Sequence, residues 1–134
     1  MDIDYQTLRA LVDGSELEDW TELKFEGLTI LVAYDDENSG QPAEYHHFDS
    51  HYEIYLWASI SPIFRKPIVL HEVAELTLSE KYQRNGMSSE EAQLQAHNRA
   101  RELDEIYARE IFDNPTFDKY LEMRKELVDR FRGD

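Results

Sequence analysis

From Pro67 to Leu78 the chain reads Pro67-Ile68-Val69-Leu70-His71-Glu72-Val73-Ala74-Glu75-Leu76-Thr77-Leu78, and the run from Ile68 to Tyr82 contains neither glycine nor proline. Proline suits the first position of a helix, where its missing amide hydrogen costs nothing. Asn85-Gly86 then supplies a residue able to take positive φ and end that helix. Wound as a helix, the stretch is apolar almost all round, and such a helix belongs in the interior. The polar groups it carries inward, His71, Glu72 and Glu75, need partners there, because an unpaired buried carboxylate is costly.

A chain of 134 residues makes one domain, residues 1–134, able to bury roughly two-thirds of the surface that its unfolded form exposes. Its 41% hydrophobic content, rich in Tyr and Phe, is enough for a packed core. Fourteen Lys plus Arg against 29 Asp plus Glu give a net charge of −15, a surface that repels phosphates and anionic headgroups. Nucleic acid and membranes are therefore not expected partners; a basic protein or peptide is. The longest apolar runs, Leu28 to Tyr34 and Pro67 to Leu70, fall far short of the roughly 20 residues that a spanning helix needs. The start, Met1-Asp2-Ile3-Asp4, lacks the positive and apolar regions of a secretory signal, so the expected location is the cytoplasm. The absence of cysteine fits a reducing compartment. It also means that any transition metal is held by His, carboxylates and water.

Around the apolar helix the punctuation predicts an α+β fold, with a small antiparallel sheet packed on a C-terminal three-helix region that includes an αα-hairpin. Tyr5, Leu8, Leu11 and Val12 mark a first short helix, and Leu17, Trp20 and Leu23 a second behind a Ser15 cap. Leu28 to Tyr34 reads as a strand entering the loop Asp35 to Gly40, and Tyr52 to Trp57 as another. Glu44 to Phe48 is a third, between the turn signals Pro42 and Asp49-Ser50. Ser88 with Glu91 forms a capping box, and Ala92, Ala96, Ala100, Leu103, Tyr107 and Ile111 make a helical stripe behind it. Asn114-Pro115 opens a third amphipathic helix through Phe117, Tyr120, Leu121, Arg124, Leu127, Val128 and Phe131, whose one charged interruption is Arg124.

His71 and Glu75 stand at i and i+4, so they share a helix face about 5–6 Å apart at Cβ, a spacing suited to one metal ion. Glu72, about 100° round the helix, is placed to act as a general base on water. At these residues the chain resembles the zincin metallopeptidases, whose active-site helix carries HExxH; here it reads His71-Glu72-Val73-Ala74-Glu75, with glutamate for the second histidine. The resemblance covers this helix and, loosely, the strand at Tyr52 to Trp57. It implies His71 as a ligand and Glu72 as the base of a metal-dependent hydrolase. On the next helix His97 is the leading third ligand, and Asp104 either a fourth ligand or the acceptor that orients a histidine. Small alanines there would let the two helices approach closely. Zinc is the leading metal for this His and carboxylate set, with Mn and Fe as alternatives.

Each residue also has a plainer reading. His71 could be a core histidine bonded to Glu75 or to a backbone carbonyl, His97 a surface residue, and Glu72 a solvated carboxylate. His46, His47 and His51 cluster in sequence, but strand alternation sends His46 and His47 to opposite faces. Asp35-Asp36-Glu37 lacks the ordered spacing of a calcium loop. Two function classes follow: a small zincin-like hydrolase, or a non-catalytic acidic interaction or regulatory module.

Overall fold

The computed structural model describes residues 2–37 and 41–132, the side chains of residues 127–132 excepted. Leu127, Val128 and Phe131 of the predicted C-terminal stripe, and Asn38-Ser39-Gly40 of the predicted loop, lie outside the described residues and side chains. The element order is α1 (Tyr5–Asp13), β1 (Thr21–Phe25), β2 (Leu28–Asp35), β3 (Ala43–His47), β4 (Tyr52–Trp57), a 3-10 turn (Pro62–Phe64), α2 (Arg65–Arg84), α3 (Ser89–Ile111) and α4 (Asn114–Arg132). This is the expected α+β class, with three C-terminal helices of which α2 and α3 form the αα-hairpin.

The sheet is mixed where the strand pattern predicts an antiparallel one. Its order is β1-β2-β4-β3: β1 with β2 and β3 with β4 are antiparallel, while the central pair β2 and β4 is parallel. The chain leaves β2, forms β3 at the far edge and returns as β4 in the gap, and that path makes β4 run alongside β2. A second departure lies at residues 15–25. The predicted second helix does not form there, because Leu17 and Trp20 take positive φ, which a right-handed helix excludes. Ser15 Oγ accepts from the Leu17 amide in a local turn instead of capping a helix. Thr21 to Phe25 alternates with Leu23 and Phe25 inward, and joins β2 through Glu26-Gly27, both at positive φ as a two-residue hairpin turn requires.

Helix α2 is the axis of the molecule, buried from Pro67 to Leu70, from Glu72 to Ala74 and from Leu76 to Ser79. It begins two residues before Pro67, which sits in the first turn, where the missing amide still has no intrahelical acceptor to lose. Gly86 at φ +96° closes the turn into α3, whose cap is the predicted one: Ser88 Oγ accepts from the Glu91 amide. Ala92, Ala96 and Ala100 are fully buried, which lets α3 lie close against α2, its main neighbour. Asp113, one residue before the predicted Asn114, caps α4 by accepting from the Thr116 amide at 2.8 Å. Burying each Leu or Val of α2 contributes about 1.5–3 kcal/mol, so this helix is held by its surroundings far more than by its own propensity.

Candidate metal centre

Three of the expected residues converge between α2 and α3. The i, i+4 spacing puts His71 and Glu75 on the α2 face that meets α3, with His71 Nε2 3.3 Å from Glu75 Oε1. His97 reaches across from α3, its Nδ1 2.7 Å from the same oxygen. The two imidazole rings stand edge to face, 5.1 Å between centroids. One ligand atom from each of His71, Glu75 and His97 lies within 4.8 Å of the others. Tetrahedral ligands about 2.1 Å from zinc are spaced roughly 3.4 Å apart, so small side-chain shifts bring the three atoms to that geometry. Two imidazoles and one carboxylate form a donor set suited to Zn, Mn or Fe.

The fourth residue stands behind these three. Asp104, 1% exposed, accepts from His71 Nδ1 at 2.6 Å through one oxygen. Its other oxygen accepts from Arg124 Nη1 at 2.6 Å and from the Tyr120 hydroxyl at 3.0 Å. Both oxygens are thus engaged, one by His71 Nδ1 and the other by Arg124 and Tyr120, and neither is turned to the three converging ligand atoms. Of the two roles expected for Asp104, this geometry matches the acceptor that orients a histidine and not the fourth ligand. With Nδ1 directed at Asp104, His71 turns Nε2 toward Glu75, the arrangement in which Nε2 offers its lone pair to an ion. Tyr120 and Arg124 escape the sequence reading as site residues. The available signal was the charged Arg124 on the apolar face of α4, which points inward to a buried carboxylate.

Electrostatics here run against simple burial. Burial disfavours the charged imidazolium of His71, yet the hydrogen bonds to Asp104 and Glu75 outweigh it and raise its pKa to about 10. Burial would raise Glu75, but the two histidines hold it down at about 2. Without an ion, His71 and Glu75 form a charged pair; a cation entering must displace the His71 proton, so uptake releases protons.

Glu72 is different again. It is 6% exposed, and no donor among the described residues hydrogen-bonds its carboxylate. Burial pushes its pKa up to about 7, opposed by the His71 charge and reinforced by Glu75 and Glu44. Glu72 lines a cleft of about 570 Å³ together with His71, His97 and Asp104. An unpartnered carboxylate beside a metal-ligand cluster is placed to receive a proton from water in that cleft.

The remaining histidines form no such group. His46 and His47 diverge as alternation requires: His46 lies edge-on to Tyr55, while His47 stacks on Tyr52 at 4.2 Å. His51 bonds to Glu53 at 2.8 Å. No family model matches the chain, and no curated protein or solved structure matches it either.

Proposed function

We propose that this chain is a metal-dependent hydrolase, similar to a small zincin, in which His71, Glu75 and His97 hold one divalent ion and Glu72 is the general base. The observation that carries the reading is the convergence of those three ligand atoms beside a buried carboxylate that has no hydrogen-bond donor. Zinc is the first choice of ion, with Mn and Fe next, and when bound it supplies Lewis acidity. Asp104, itself pinned by Arg124 and Tyr120, fixes the orientation of His71. Glu72 takes the proton of a water attacking the scissile carbonyl carbon and returns it to the departing nitrogen as the C–N bond breaks. A group with a pKa of about 7 is suited to both transfers near neutral pH.

No helix among the described residues is long and apolar enough to cross a membrane. The acidic surface and absence of cysteine support a cytoplasmic location and argue against nucleic acid as substrate.

The test is metal content by mass spectrometry after chelator-free purification, for wild type and His71→Ala. About one divalent ion per chain in wild type and none in the variant is the expected result. Wild type that stays empty after dialysis against Zn²⁺, Mn²⁺ and Fe²⁺ rules the hydrolase out.

A further inference from the structure

The cleft beside the candidate metal centre has a charge pattern opposite to that of the molecule around it. On a chain with 14 bases and 29 acids, Arg101, Arg124 and Lys125 all line this one cleft. Arg124 is committed to Asp104 and Glu105. Arg101 and Lys125 are exposed, and neither makes a hydrogen bond or ion pair with any of the described residues. Elsewhere Arg9, Lys24, Lys81, Arg84 and Arg99 each pair with a carboxylate, Arg65 and Arg109 lie over the rings of Tyr34 and Phe117, and Lys66 donates to the Asp13 carbonyl. Two cations that line one cleft with no partner among the described residues, on a protein of net charge −15, leave room there for an anionic counterpart.

The placement of these two groups is defined by their neighbours. Arg101 follows His97 by one turn of α3, on the flank that also carries Asp104. Lys125 adjoins Arg124, whose guanidinium is fixed by two carboxylates across from α4. Near the centre, the three bases of the cleft face the carboxylates Glu72, Glu75, Asp104 and Glu105. A divalent ion therefore leaves this group net positive by one charge, inside a molecule that is otherwise strongly negative. Walls of low dielectric focus such a field on whatever enters.

We propose that Arg101 and Lys125 form an oxyanion-binding subsite, so that the cleft selects substrates carrying a carboxylate or phosphate group. The inference rests on the hydrolase reading for the word substrate. It reverses the expectation drawn from overall charge: a basic partner suits the outer surface, while the cleft takes an anion. Arginine grips such a group through two parallel N–H donors and lysine adds a point charge, a pairing suited to planar carboxylates and to phosphate alike.

The experiment compares two pools of N-acetylated, C-amidated hexapeptides, identical except that one carries Glu where the other carries Lys. Each pool is titrated by NMR into zinc-treated and metal-free protein, both wild type and R101Q/K125Q, with zinc content measured alongside. Both side chains are exposed, so the double variant keeps its fold, which circular dichroism checks. The expected result is about tenfold tighter binding of the Glu pool by wild type at low salt, shrinking as salt screens the charges. In R101Q/K125Q the preference disappears while zinc uptake is unchanged. Inorganic phosphate and acetate, added as competitors, identify the oxyanion: stronger competition by phosphate assigns a phosphate group, stronger competition by acetate a carboxylate, and either supports the subsite. Equal or tighter binding of the Lys pool, or a Glu preference that survives in R101Q/K125Q, overturns it. Wild type that takes up zinc yet shows no Glu preference fails this inference alone. Wild type that takes up no zinc fails the hydrolase, and the metal-free titration still decides the subsite.

Discussion

Two groups of histidines in this molecule make the same local contact and have different consequences. On the sheet, His51 bonds to Glu53 at 2.8 Å; between α2 and α3, His97 bonds to Glu75 at 2.7 Å. The sheet pair gathers no third ligand, since the other Glu53 oxygen accepts from the Tyr55 hydroxyl, and alternation sends His46 and His47 to opposite faces, each against a tyrosine. The helical pair continues, because the i, i+4 spacing adds His71 to the same oxygen and a buried aspartate holds His71 from behind. A histidine–carboxylate contact is thus not a site by itself. Convergence of three ligand atoms, and a fixed partner behind one of them, distinguishes the helical group.

The comparison can be sharpened first at Glu72. Glu72→Gln is expected to keep its metal and to lower hydrolysis by about 10²–10⁴-fold, measured as turnover on a peptide substrate with zinc content in parallel. The same variant has a pH signature in metal-free protein. Glu72 has a folded pKa of about 7, above the ordinary 4.5, so the folded state holds the proton more tightly. Its contribution to stability therefore falls as pH rises from about 4.5 through about 7, and Glu72→Gln removes that slope from urea melts taken across the window. Next, Asp104→Ala leaves Arg124 and His71 without their buried acceptor. A loss of about 3–5 kcal/mol is expected in denaturant unfolding, together with about 10–100-fold weaker metal binding. Ala100→Leu puts a larger side chain where α3 lies against α2; a loss of about 1–3 kcal/mol is expected, read from the shift in melting temperature. The smallest effect belongs to the other histidine group. His51→Ala is expected to change stability by no more than about 0.5 kcal/mol and to leave metal content as in wild type. Loss of metal in that variant would break the comparison.

Much of the fold was legible because its signals are local. Pro67 and Gly86 bracket α2, Ser88 and Glu91 mark the start of α3, and the alanine stripe shows which face of α3 turns inward. The stretch at residues 15–25 was not legible as a helix or strand from apolar spacing alone. Leu17, Trp20 and Leu23 fit a helical period, but Leu23 and Phe25 also alternate with Glu22 and Lys24, and the Glu26-Gly27 turn settles the pairing with β2. The parallel pairing of β2 with β4 has no local signature either, since it arises from the position of β3 beyond β4.

The candidate site divides along the same line. The sequence by itself determined that His71, Glu72 and Glu75 share a helix apolar on nearly every side, and that His97 and Asp104 lie about two turns apart on the flank of the next helix. Helical periodicity alone fixes those relations. Only the tertiary structure decided that His97 meets Glu75, that Asp104 orients His71 and is itself held by Arg124 and Tyr120, and that Glu72 is buried without a donor. The physical reason is that each of these depends on the rotation and closeness of one packed element against another, quantities that the pattern within a single segment does not contain.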